Sequence, residues 1–296
     1  MKPVAFDYAR PASVREACAL LAQDDNARVL AGGQTLIPML AMRLARPSRL
    51  VDIARIPELG GIRDEGGHVA VGAATRQAVA ERDAIVGRRL PLLAKALPWV
   101  GHAPTRNRGT IGGSIVNGDP AAEIALVAVT LGATLVVQTL DETSELAGGE
   151  FYLGPMITAL PEGGILTAVR FPVWREDRVG AGFHEVSSRR SDFALVAAAA
   201  QVALDTEGRC TALAVAIGGA GDVPLRLDGV AEALTGSRLE DGAVREAAEA
   251  AVADLETAGD LHASAAYRKR VAAALARRAI LDARDDATRA GGSHAG

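Results

Sequence analysis

Two glycine-rich segments hold the residues of this chain best suited to chemistry: Ala31-Gly32-Gly33-Gln34-Thr35-Leu36, and Thr110-Ile111-Gly112-Gly113-Ser114 with Gly109 just before it. The first follows Arg28-Val29-Leu30, which reads as a short buried strand. It precedes an apolar stretch, Leu36 to Leu44, that reads as a helix. A strand that turns through Gly-Gly into a helix exposes several backbone N–H groups in one direction, and the absent side chains let an anion reach the backbone. Taken singly, such a segment is more often only a tight turn. The second segment changes the balance, because its glycines again bring backbone donors together between the hydroxyls of Thr110 and Ser114. Two such loops can hold one pyrophosphate from two sides. Neither is a GxGxxG turn with an acidic residue about 20 positions on, and neither is GxxxxGK[ST], so a nicotinamide dinucleotide site and a P-loop are both disfavoured.

Other chemistries find little support. His68, His102, His184, His262 and His294 show no HxxH or HExxH spacing, and no cysteine accompanies them, so a metal site is not expected. Cys18 and Cys210 are too few for an iron-sulfur cluster and unsuited to a disulfide scaffold. Cys18 falls at helical spacing with Val14, Ala17 and Leu21, which places it in a core. No GxSxG elbow occurs. Lys and Arg are interspersed with Asp and Glu at a net charge of -4, which argues against nucleic acid. No stretch approaches the roughly 20 uncharged apolar residues of a membrane span, and the first residues carry no apolar run of signal-sequence length, so a cytoplasmic location is expected.

The elements that must position these loops follow from pattern. At 296 residues the chain suits two domains, one of them subdivided. Ser13 with Glu16 forms a capping-box signature for a helix to about Ala22, and Leu50 to Ile53 reads as a strand. His68 to Gly72 has strand character. Gly101 to Gly118 holds five glycines and no periodicity, so it reads as a long functional loop. Asp119 and Pro120 are placed to cap and open a helix over Ala121 to Leu131. Strands are expected at Thr134 to Gln138 and Ile165 to Phe171. The charged stretch from Pro172 to Gly182 marks a boundary near residue 178. Strand-like runs follow, then helices near Ala243 to Leu255 and Ser264 to Leu281, and the last dozen residues read as disordered.

With these segments assembled, the chain resembles, over nearly its whole length, the medium, flavin-binding subunits of the molybdenum hydroxylases, the group of carbon monoxide dehydrogenase and the FAD domain of xanthine dehydrogenase. The resemblance rests on both glycine loops in their order and context. It also rests on Phe6-Asp7-Tyr8, Leu50-Val51-Asp52-Ile53, Arg106-Asn107-Arg108, Asp119-Pro120-Ala121-Ala122-Glu123, Ile165-Leu166-Thr167, Phe183 to Phe193 and Tyr267-Arg268. It implies an α+β fold: a vanillyl-alcohol-oxidase (PCMH)-type FAD-binding domain of two α/β subdomains, about 1–57 and 58–177. A smaller α+β C-terminal domain of the carbon monoxide dehydrogenase flavoprotein type follows over 178–284, then a disordered tail over 285–296.

Carried over residue by residue, the resemblance lays Val29, Leu30, Ala31, Gly32, Gly33, Gln34, Thr35 and Leu36 along the pyrophosphate and ribityl path of a non-covalent FAD. Thr110, Ile111, Gly112, Gly113 and Ser114 would complete the phosphate cradle, with Val100, Asn117 and Asp119 as further contacts. Glu123 stands where the family has Asp for a ribityl or ribose hydroxyl; its plainer reading is a solvated charge in a first helical turn. Ile165, Leu166 and Phe193 would approach the isoalloxazine. His184 stands where xanthine dehydrogenase has a flavin-contacting Lys, or is simply an exposed strand histidine. The implied partners are a large subunit with a molybdopterin-type molybdenum cofactor and a small subunit with two [2Fe-2S] clusters, in a heterotrimer or its dimer. This chain would then pass electrons from the clusters through FAD to an external acceptor, with no catalytic residue of its own. A stand-alone flavin oxidase or reductase of the same fold is the alternative.

Overall fold

The computed structural model describes residues 2–292. Its first unit alternates strand and helix: β1 (Asp7–Ala9), α1 (Val14–Ala22), β2 (Arg28–Leu30), α2 (Leu36–Ala41) and β3 (Arg49–Asp52), with the strands parallel in the order β1-β3-β2. Parallel strands require crossovers, and α1 supplies one by burying its stripe of Val14, Ala17, Cys18 and Leu21. The cap forms with one bond shifted: Ser13 Oγ accepts from the Glu16 N–H at 3.2 Å, while the Glu16 carboxylate accepts from the N–H of Ala12, one residue before the cap, at 2.7 Å.

The second unit opens with β4 (Ile62–Asp64) and β5 (His68–Gly72). A run of short helices follows: α3 (Gln77–Ala80), α4 (Ala84–Arg89), α5 (Pro91–Ala96), α6 (Ala103–Arg108), α7 (Ile111–Asn117) and α8 (Glu123–Leu131). Then come β6 (Thr134–Gln138), β7 (Thr143–Ala147), the hairpin β8 (Tyr152–Gly154) and β9 (Ile157–Thr158), and β10 (Ile165–Pro172). The sheet runs β4-β5-β10-β6-β7 with antiparallel neighbours. Two expectations are corrected. The stretch Gly101 to Gly118 is not an irregular loop but carries α6 and α7, of six and seven residues, each too short to show an apolar repeat. Asp119 does not cap α8. Ala122 holds that position, and Asp119 Oδ1 instead accepts from the N–H of Ala121 at 2.9 Å.

The third unit is an antiparallel meander, β11 (Val179–Ser187), β12 (Ala194–Leu204), β13 (Cys210–Gly218) and β14 (Leu225–Arg226), with α9 (Asp228–Leu234), α10 (Asp241–Ala251) and α11 (Ala265–Gly292). Alternation along β11 decides what faces where. Ala181 and Phe183 join the core shared with the second unit, while Gly180 and Gly182 meet α11 so closely that a Cβ on Gly182 would lie 2.0 Å from the Ala279 carbonyl oxygen. The expected disorder from residue 285 is corrected as far as the structure reaches: α11 continues to Gly292 and buries Ala287 against β11. Residues 293–296 of that expected tail lie outside the described residues.

Candidate functional site

Where the three units meet, a cleft of about 580 Å3 opens, a size suited to a small-molecule ligand. Its walls are the end of β2 with the loop into α2, the starts of α7 and α8, the start of β10 and the β11–β12 turn.

The first loop does what its composition suggests. Gly33 has φ +73°, a left-handed conformation that glycine adopts without strain. Gly32 lies against the second loop so tightly that a Cβ would come within 2.5 Å of the Arg108 carbonyl oxygen and 2.8 Å of Gly109 Cα. Among the described residues, the N–H groups of Gly32, Gly33, Gln34 and Thr35 donate to nothing in the chain. Four consecutive free backbone donors beside a cleft form an anion cradle.

The second loop differs from expectation. Among the described residues, five of its six N–H groups, all but that of Thr110, are spent within the chain: Gly109 on Thr105 O, Ile111 on Thr75 O, Gly112 on Ala73 O, Gly113 on Thr110 Oγ1 and Ser114 on Thr110 O. Its glycines serve close approach, to Gln77 at Gly109 and to Ala73 at Gly112. What the loop's side chains offer the cleft is the Thr110 hydroxyl, which still has its own proton to donate, and the Ser114 hydroxyl, which has no partner among the described residues.

Glu123 opens α8 on the cleft wall, and burial lifts its carboxyl to about 7. Asp119 raises it further, while its own backbone N–H and Arg106 act in the opposite sense. Glu123 is thus half-buried on the cleft wall. Behind it lies Glu185, whose two carboxylate oxygens are buried without a hydrogen-bond partner among the described residues. Burial, and then the charge of Glu123, push Glu185 to about 8. Burial thus raises both carboxyls above the usual carboxylate range.

Most of the expected residues come together on the cleft: Val29, Ala31 to Leu36, Val100, Thr110, Gly112, Gly113, Ser114, Asn117, Asp119, Glu123, Ile165, Leu166 and Phe193. Phe193 stands 79% exposed at its rim. Three do not line it. Leu30 alternates away from Val29 and lines a separate pocket. Ile111 is fully buried in the core. His184 is corrected as a flavin neighbour: it shares the face of β11 that carries Gly180 and Gly182, and its Nε2 lies 2.8 Å from Asp282 Oδ2 on α11. Glu185, on the opposite face, is the residue directed inward. Sequence reasoning also missed Gln77, buried at the cleft with its Oε1 unpartnered among the described residues, for which composition offers no cue.

Comparison with known proteins decides the lineage. Residues 4–174 match the FAD binding domain in molybdopterin dehydrogenase, and residues 181–283 match the CO dehydrogenase flavoprotein C-terminal domain. The chain belongs to the FAD-binding subunit family of the molybdopterin dehydrogenases. Within this family it is 36% identical over 284 residues to the 6-hydroxypseudooxynicotine dehydrogenase complex subunit alpha of Paenarthrobacter nicotinovorans, covering 96% of each chain. It superposes on carbon monoxide dehydrogenase from Hydrogenophaga pseudoflava, in a form lacking the Mo-pyranopterin moiety, with a TM-score of 0.93 at 35% identity, covering 97% of this chain and 99% of that one. Quinoline 2-oxidoreductase from Pseudomonas putida 86 gives 0.92 at 36% identity, with the same coverage. The FAD-binding subunit is therefore a flavoprotein oxidoreductase component whose cofactor is FAD. The cleft fits that cofactor: the free N–H groups of Gly32 to Thr35 suit a pyrophosphate, and an apolar wall of Val29, Ile165 and Leu166 suits aromatic rings. No helix among the described residues is long and apolar enough to cross a membrane.

Proposed function

We propose that the chain holds one non-covalent FAD along this cleft and serves as the electron-transfer subunit of a heteromeric molybdenum hydroxylase. Its partners are a large molybdenum-cofactor subunit and a small subunit with two [2Fe-2S] clusters, in a heterotrimer or its dimer, and its location is the cytoplasm. Its domains run over 1–177, subdivided near residue 57, and 178–284. The observation that carries the binding mode is the run of four unpaired backbone N–H groups from Gly32 to Thr35.

When bound, FAD supplies the redox chemistry, taking electrons from the clusters and passing them to an external acceptor. The chain's own residues orient and shield it. Gly32 to Thr35 bind the pyrophosphate, with Thr110 and Ser114 adding hydroxyls from the other loop. Glu123 reaches a ribose or ribityl hydroxyl, and its near-neutral carboxyl can donate or accept there. Ile165 and Leu166 back the isoalloxazine, while Phe193 and the β11–β12 turn exclude water from its outer side. No residue is assigned as catalytic acid, base or nucleophile.

Purification of the full chain from its native source, with metal analysis of what accompanies it, tests the assignment. A complex with molybdenum- and iron-bearing chains is expected. Substrate turnover by this chain alone, without those metals, would instead establish a stand-alone flavin oxidase or reductase.

A further inference from the structure

We propose that a second pocket, separated from the FAD cleft by a wall one backbone thick, is a binding site for a small phosphate-bearing anion. Ala31, Gly32 and Gly33 line both spaces. The second, of about 310 Å3, lies at the carboxyl ends of all three strands of the parallel sheet: Tyr8 and Arg10 at the end of β1, Leu30 at β2, and Asp52 and Arg55 at β3. Parallel α/β sheets bind ligands at that edge, where loops diverge and backbone N–H groups converge.

The charge of this pocket is unlike the rest of the molecule. Arg10, Arg55, Arg76 and Arg108 all line it, and Asp52 is the one carboxylate among the lining residues. Asp52 is already engaged, its Oδ2 accepting from the Tyr8 hydroxyl at 2.5 Å and its Oδ1 from the N–H of Ala54 at 2.9 Å. None of the four guanidiniums has a carboxylate within salt-bridge distance among the described residues. Arg76 donates to the carbonyl of Arg108, a neutral group. Elsewhere the chain pairs its structural arginines, Arg106 with Glu81, Arg268 with Asp260 and Arg277 with Asp241. Four like charges gathered in one concavity repel one another unless an anion joins them, and a phosphate accepts several guanidinium donors at once. Partial burial, and then the charge of Arg108, already lower the proton affinity of Arg76, a sign of that repulsion. Exposed Tyr8 and Ile37 supply an apolar edge for whatever the phosphate carries.

The test uses the purified, FAD-loaded full chain with inorganic pyrophosphate and, separately, ADP, binding being read by calorimetry at low salt. One ligand per chain is expected, with affinity falling at least tenfold in the R10A/R55A double variant and unchanged in an R15A/R245A control. Tighter binding of ADP than of pyrophosphate would identify a nucleotide as the occupant, and equal binding a bare diphosphate; both support the site. Binding only to the deflavinated chain would assign the pocket to FAD itself and overturn the proposal. Absence of binding, or equal loss in both double variants, would overturn it as well, while the FAD assignment stands on its own spectrum.

Discussion

At the scale of single residues, Gly32 and Glu185 carry the sharpest consequences. A Cβ at position 32 meets backbone atoms of Arg108 and Gly109, which cannot swing aside as a side chain can. The variant G32A should weaken FAD binding tenfold or more, about 1.4 kcal/mol, measured by flavin titration of the deflavinated chain. Gly87, on the exposed side of α4 with nothing within 4 Å of its absent Cβ, provides the contrast. There, G87A should leave flavin affinity alone and raise stability by up to about 1 kcal/mol. Glu185 binds its proton more tightly folded, near 8, than at its ordinary 4.5. The folded chain therefore loses stability as pH rises from 4.5 to 8, when an unpaired buried carboxyl must ionise. The variant E185Q should melt higher than the parent at pH 9 and alike at pH 4.5, so equal melting temperatures at pH 9 would sink this assignment. Gly32 was legible in sequence because glycine reports its own requirement. Glu185 was not: both faces of β11 are covered, so neighbouring positions give no clue to which side is which, and the family resemblance pointed to His184 instead, with an exposed strand histidine as the equal alternative.

At the scale of elements, α11 fastens the C-terminal sheet and reaches back to the flavin domain. Lys95 on α5 donates to the carbonyl of Ala181 at 2.6 Å and pairs with Asp286 on α11 at 2.8 Å. Asp286 also accepts from the N–H of Ala181 at 3.1 Å, and these contacts hold its carboxyl below the usual range. The variant G182A, which drives a methyl into the Ala279 backbone, should cost about 2–3 kcal/mol in urea unfolding. Truncation after Arg284 removes Asp286 and Ala287 together and should lower the melting temperature, whereas an unchanged one would return the segment to the status of a loose tail. The composition of that segment, Asp-Asp-Ala-Thr-Arg-Ala, resembles disorder because only Ala287 faces inward, and a one-residue stripe shows no period. The helices α6 and α7 stayed hidden for a related reason: glycine and proline punctuate them, α6 buries no residue, and the burial of Ile111 and Ile115 on α7 comes from tertiary packing.

At the scale of the whole molecule, the division of labour was legible early. The FAD-binding family of the chain and the placement of the glycine loops on one cleft follow the expectation, and both cysteines are buried core side chains, Cys210 pushed up to about 11 by burial. What sequence patterning left open was how three sheets converge on one cleft, since Gly218 packing on the Pro120 carbonyl and Gly219 donating to it at 2.8 Å join segments about 100 residues apart. On the reading proposed above, this convergence holds FAD without a covalent bond. Its most direct test is the visible spectrum of the purified full chain, followed by acid precipitation. Oxidised-flavin absorption at one FAD per chain is expected, with the flavin released wholly into the supernatant. A colourless chain, or flavin that stays with the precipitate, would contradict it.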